Sequence, residues 1–184
     1  DAAEARRLGA EGVGLCRTEH LLLGEHLPLI RRFFFAEDSE EESAALDDLG
    51  EAQRVDLTGV LMAMAPLPVT VRLLDAPLHE FLGDDVPVEW REFNPMLGTR
   101  GVRLAVIREG LYRMQVRALM GAIADAEAKG VRPHVRVMVP LIATSAEMAL
   151  VGGWVRDEIA KSAAGTLPVG MMIETPRAAL LAGD

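Results

Sequence analysis

One cysteine, Cys16, in 184 residues rules out an intrachain disulfide and any cysteine-rich metal site. It is compatible with a reducing compartment. No apolar run approaches the length of a membrane span, and the opening "DAAEARRLGA" lacks the apolar core of a signal peptide, so a cytoplasmic protein is expected. Positive charge is scarce: 19 Lys and Arg stand against 28 Asp and Glu, a net charge of −9. That balance disfavours an electrostatic grip on nucleic acid or an anionic membrane and favours small-molecule or protein partners, although a local positive pocket can exist within an acidic whole. Also missing are a G-x-G-x-x-G fingerprint and a P-loop between any strand and its helix. The four histidines, His20, His26, His79 and His134, have no H-x-x-x-H spacing, so a histidine metal site is not expected.

Half of the residues are hydrophobic, enough for a packed core in one ordinary domain. Residues 2 to 9 pattern as a short helix closed by Gly9, and "GVGLCRTE" follows as a strand. Residues 20 to 36 read as apolar and irregular. Ser39 with Glu42 makes a capping box for a helix running to about residue 64, where "APLP" stops it. "PVTVRLLD" (68 to 75) is a second strand, and 76 to 93 a long loop. An amphipathic helix is expected over 109 to 129, ending at Gly130. "HVRVMVPL" (134 to 141) is a third strand, and "TSAE" (144 to 147) is a capping box opening a helix to about 162. "LPVGMMIE" (167 to 174) is a fourth strand, with Thr175 as N-cap and Pro176 as N1 of a last helix.

Apolar strands alternating with amphipathic helices imply a parallel sheet and an α/β fold, either doubly wound or a (β/α)8 barrel. Four strand–helix units are about half of a barrel. Both ends fall inside helical patterns, so the expectation is a single partial domain over residues 1–184, truncated at both ends.

In either architecture the ligand sits at the C-terminal ends of the strands. The charges there are Arg17 with Glu19, Arg72 with Asp75, Arg100 in the loop "NPMLGTRG", and Glu174. Period-two alternation puts Arg17 and Glu19 on one side of the first strand and Cys16 on the other, which makes Cys16 a small packed hydrophobe rather than a nucleophile. Each arginine taken alone is as well explained by a structural ion pair, with Glu19 or Asp75 as partner. Converging together, they call for a polyanionic ligand held through paired N–H donors. Glu174 either ligates Mg²⁺ or pairs with Arg177 or a site arginine. "NPMLGTRG" reads as an ordinary turn or as an arginine-bearing anion loop, and spacing does not choose.

Five stretches, "GAEGVGLCRTEH", "PVTVRLLDAPLHEFL", "NPMLGTRGVRL", "MQVRAL" and "MMIETPRAAL", resemble in order and gaps the C-terminal domain of the pyruvate phosphate dikinases over nearly the whole chain. Phosphoenolpyruvate synthase and the first enzyme of the sugar phosphotransferase system share only pieces of this set. The resemblance implies a phosphoenolpyruvate/pyruvate-type barrel whose substrate is bound by Arg17, Arg72, Arg100 and Glu174, with Glu174 a ligand of Mg²⁺. It implies phosphoryl exchange between a phosphohistidine on a swivelling domain and pyruvate, with a nucleotide-binding domain as a further partner; the open strand edges of a partial barrel make a homo-oligomer the expected assembly.

Departures from that pattern limit what this chain does alone. An Asn-Asp metal-binding loop and the family's proton-transferring cysteine are absent, and no histidine here lies in the phosphohistidine motif, so no catalytic residue is assigned. Ala76 stands for a usual proline and His26 for an arginine. The chain then corresponds to strands two to five of a barrel, exposes two strand edges, and is expected to be inactive by itself. The alternatives are a phosphoenolpyruvate synthase or pyruvate-enolate lyase barrel, and a non-catalytic phosphoenolpyruvate-binding module.

Overall fold

A computed structural model of the chain describes residues 2–83, 94, 97–163 and 165–183. Four strands, β1 (Val13–Arg17), β2 (Pro68–Arg72), β3 (His134–Val139) and β4 (Val169–Met171), form one parallel sheet in the order β1-β2-β3-β4. Each connection is helical. Helices α1 (Ala2–Arg7), α2 (Glu19–Leu22), α3 (Leu27–Phe34) and α4 (Ser39–Met64) precede β2, with a 3₁₀ turn at Gly24–His26. Between β2 and β3 come α5 (Leu78–Leu82), α6 (Gly101–Ile107) and α7 (Glu109–Ala128). Helix α8 (Ser145–Ala160) joins β3 to β4, and α9 (Pro176–Leu180) follows.

A doubly wound sheet reverses at a switch point, which makes its strand order non-sequential. The described strands run in sequence without reversal, the order of a partial (β/α)8 barrel. Burial on β3 agrees with a one-sided cover: Val135, Val137 and Val139 are buried, while His134 and Arg136 on the opposite face are exposed. With Val69 and Val71 of β2, those valines form one core with Leu57 and Leu61 of α4, Leu111, Val116 and Leu119 of α7, and Val151 and Val155 of α8. Both flanking strands, β1 and β4, leave an unpaired edge among the described residues.

The long elements match their sequence signatures. Thr144 and Glu147 form the reciprocal capping box of α8, and the Thr175 hydroxyl accepts from Ala178 N at the start of α9. Four expectations change. Asp38, not Ser39, caps α4: its carboxylate accepts from Glu40 N (2.9 Å) and Glu41 N (2.8 Å), and an anion there also suits the helix dipole. Residues 20 to 36 are largely helical, because Leu22, Ile30, Phe33 and Phe34 are buried in the core and tertiary packing stabilises short helices that propensity alone does not. The expected loop at 76 to 93 contains α5, anchored by buried Leu78, Phe81 and Leu82, and its remainder from residue 84 lies outside the described residues. A separate helix, α6, stands between "NPMLGTRG" and α7.

Candidate functional site

At the end of β1, Arg17 lies in register beside Arg72 at the end of β2. Their environments differ. Arg17 is exposed, and its side chain makes no ion pair or hydrogen bond among the described residues. Arg72 is buried, bonded through Nη2 to Glu19 Oε1 and paired through Nη1 with Asp75 Oδ2 at 3.2 Å. Glu19 therefore serves Arg72, not Arg17. The strand stops at Arg17, and Thr18 and Glu19 turn into α2, so the period-two placement of Glu19 beside Arg17 does not apply.

Asp75 is buried and holds a second arginine. Arg100 donates from Nε to Asp75 Oδ1 at 2.7 Å and from Nη2 to the Asp75 carbonyl at 3.2 Å. The bond to Asp75 raises the Arg100 pKa, burial opposes it, and the charges of Asp75 and Glu174 reinforce it. Arg100 sits at the N-cap of α6 with extended backbone, and the next residue, Gly101, has φ +53°. A Cβ at Gly101 would come within 2.8 Å of Leu141 Cβ and 3.0 Å of Asp75 Oδ1. The missing side chain is what lets the Arg100 loop close on the ends of β2 and β3.

Beyond β3, Leu141 takes the left-handed φ of +60°, rare for a branched residue, and donates its N–H to Glu174 Oε1 at 2.7 Å. Glu174 lies beyond β4, is exposed, and makes no ion pair with Arg177 or with a site arginine among the described residues. The structure thus brings Arg72, Asp75 and Arg100 together directly, sets Arg17 beside them, and ties Glu174 to the same mouth through Leu141. Cys16 is apart from this chemistry. Burial, helped by the nearby Glu19 charge, pushes its thiol up to about 11, which leaves it a poor nucleophile.

A second tier of polar residues supports the mouth. Gln115 Oε1 accepts from Leu74 N at 2.8 Å, Gln115 Nε2 donates to Thr18 Oγ1 at 3.0 Å, and Tyr112 Oη donates to the Leu74 carbonyl at 2.7 Å. All three side chains are buried. In the sequence Gln115 falls in "MQVRAL" and Thr18 in "GAEGVGLCRTEH", but nothing in either stretch shows that the two side chains meet, and Tyr112 stands only as a tyrosine within the apolar stripe of α7.

Over residues 1–184 the chain matches the family model described as PEP-utilising enzyme, PEP-binding domain. The chain belongs to the PEP-utilising enzymes. It is 39% identical to a pyruvate, phosphate dikinase 2 of Oryza sativa subsp. japonica over 213 residues, covering 100% of this chain and 24% of that protein. It is 41% identical to the chloroplastic pyruvate, phosphate dikinase of Flaveria pringlei and 39% identical to pyruvate, phosphate dikinase 1 of Arabidopsis thaliana, covering 100% of this chain and 22% of each. The chain therefore spans about a quarter of the length of these curated relatives.

Glu174 offers an exposed carboxylate whose second oxygen has no hydrogen bond among the described residues. Mg²⁺ is commonly held by one or two protein carboxylates, with substrate and water completing the shell, so Glu174 fits as one ligand. Among the described residues no group of three His, Cys, Asp or Glu forms an all-protein cage. His26 is engaged elsewhere, with Nε2 at 3.1 Å from Asp56 Oδ2. No helix of the described residues is long and apolar enough to cross a membrane.

Proposed function

We propose that this chain is the phosphoenolpyruvate- and pyruvate-binding part of a pyruvate phosphate dikinase, with Arg17, Arg72, Arg100 and Glu174 lining the substrate site. The reading rests first on one observation: Arg17 is an exposed cation without an ion pair among the described residues, placed beside Arg72 at the strand ends. The longer enzyme would interconvert ATP, phosphate and pyruvate with AMP, diphosphate and phosphoenolpyruvate, through a phosphohistidine on a swivelling domain and with a nucleotide-binding domain. The family membership and the relatives' names support that assignment.

Each residue's role follows from its surroundings. Arg72 and Arg100 are oriented by Asp75, so their forked donors are fixed before substrate arrives. Their charges are locally balanced by Asp75 and Glu19, which leaves Arg17 as the cation with charge to spare for a carboxylate or phosphoryl group. Glu174 would hold Mg²⁺, which when bound supplies charge neutralisation at the enolate and phosphoryl oxygens. The arginines stabilise charge developing on the same oxygens, a contribution of positioning and electrostatics suited to phosphoryl transfer. No group in this chain is assigned the proton transfer.

The edges of β1 and β4, unpaired among the described residues, support a homo-oligomer or closure by further chain, and the lone cysteine fits a reducing, cytoplasmic setting. The proposal includes inactivity of the isolated 184 residues. Purified chain supplied with phosphoenolpyruvate, AMP and diphosphate is expected to make no ATP, whereas the enzyme that carries it does. ATP formation by the isolated chain would overturn that part, and an active enzyme that fails to bind Mg²⁺ and oxalate together would overturn the site.

A further inference from the structure

The last sheet bond at the end of β2 runs from Leu73 N to Met138 O at 3.0 Å. Leu74, the next residue, is fully buried, and its N–H and carbonyl need partners that the sheet no longer supplies. Both come from side chains three residues apart on one face of α7: Gln115 accepts the N–H and Tyr112 donates to the carbonyl. The amide of Gln115 then donates to Thr18, the residue between Arg17 and Glu19. Every bond in this relay has a fixed direction. Burial, with the charge of Asp75 adding to it, pushes the Tyr112 phenol well above its ordinary range, so Tyr112 stays a donor.

We infer that Thr18, Gln115 and Tyr112 are positioning residues that set the spacing between Arg17 on β1 and the Arg72–Asp75 turn on β2. Thr18 is covalently next to Arg17, and Leu74 is covalently next to Asp75. Gln115 therefore couples the cation that has charge to spare to the pair that is already oriented. Burial alone does not explain a glutamine here, because an amide taken from water costs free energy unless it is bonded. Gln53 on α4 shows the contrast: it is equally buried, and neither of its amide atoms has a partner among the described residues.

This inference rests on the proposed substrate site, and its test separates the two. Mg²⁺-dependent oxalate binding is titrated in the enzyme that carries this chain, for Thr18→Val, Tyr112→Phe, Thr18→Ser and Gln53→Leu, with melting temperature recorded for each. A misplacement on the ångström scale near reacting groups costs up to about a hundredfold. Thr18→Val and Tyr112→Phe are expected to weaken oxalate by about tenfold or more within that range, Thr18→Ser to restore binding, and Gln53→Leu to alter melting without altering affinity. Tyr112→Phe keeps the ring packed, so it reports even where Thr18→Val fails to fold. Unchanged affinity in folded Tyr112→Phe and Thr18→Val would overturn the positioning role. Absence of oxalate binding in the unmodified enzyme would instead overturn the substrate site.

Discussion

Asp75 Oδ1 accepts a 2.7 Å bond from Arg100 Nε, while the same carboxylate's other oxygen pairs with Arg72 at 3.2 Å. One buried anion thus organises two cations, one at the end of β2 and one at the start of α6. Asp75→Asn keeps the shape and removes the charge, leaving two arginines crowded in a buried site. Breaking a buried pair this way costs about 3–5 kcal/mol. Urea unfolding is expected to show a loss of that order, and a loss under about 1 kcal/mol would mean that the pairs are no stronger than surface ones.

Arg6 joins the first helix to the end of the longest one. Its Nη1 donates to the carbonyls of Met64 (2.6 Å) and Ala65 (2.9 Å), with Ala63 at 3.4 Å, where α4 has run out of intrahelical acceptors' partners. Arg6→Met is expected to cost about 1.5–3 kcal/mol, the range for hydrogen bonds to a charged group. Arg7→Met removes only the exposed pair with Glu4 and is expected to leave the melting temperature unchanged. Equal effects of the two would contradict the capping role.

Glu158 is a buried carboxylate bonded to Arg113 (3.0 Å) and Lys161 (2.8 Å), with Arg117 at 3.7 Å. Burial pushes its pKa up, but the bonds from Lys161 and Arg113 and the surrounding positive charge outweigh that and bring it below its ordinary 4.5. A lowered carboxylate pKa stabilises the fold above the ordinary value and loses that contribution as pH falls through the folded value. Glu158→Gln is expected to reduce stability at pH 7 by about 1–3 kcal/mol and to flatten the fall in stability below pH 4.5. An unchanged acid limb in urea titrations would contradict this.

The Cys16 thiol, pushed by burial up to about 11 from an ordinary 9.0, is expected to resist alkylation in the folded protein. Its thiolate fraction at pH 8 is on the order of one in a thousand. The shift also carries a sign for stability: the contribution is complete below pH 9 and is lost as pH rises towards 11. Iodoacetamide labelling is expected to be slow at neutral pH and to keep rising with pH up to about 11 before levelling, and rapid labelling of folded protein at pH 7.5 would contradict the assignment.

Much of the fold is legible in the residues themselves. Valine-rich strands, the Thr144–Glu147 box and the Thr175–Pro176 start are local signals that the packed structure keeps, whereas the Ser39–Glu42 box gives way to the neighbouring Asp38. Helices α2, α3, α5 and α6 are too short to announce themselves, and their stability comes from side chains such as Phe33 and Phe81 meeting a core assembled from distant segments. The site divides in the same way. Arg17, Arg72, Arg100 and Glu174 are marked by position at strand ends, but their partners depend on where the backbone turns. Glu19 crosses to Arg72 because the strand ends two residues before it, and Glu174 bonds Leu141 because a left-handed residue presents its N–H there. Gln115 acquires its role only when α7 packs beneath the ends of β1 and β2.

The central claim is that the anion site is built on Arg17, the exposed cation at the mouth, beside arginines already held by carboxylates. Arg17→Gln separates binding from folding, because no ion pair among the described residues is lost with it. The decisive measurement is calorimetric titration of the enzyme that carries this chain with oxalate and Mg²⁺, beside the melting temperature of the same samples. The expected result is an unchanged melting temperature with affinity lowered about tenfold or more, the loss of a charge-assisted bidentate contact. Wild-type affinity in folded Arg17→Gln would contradict the claim.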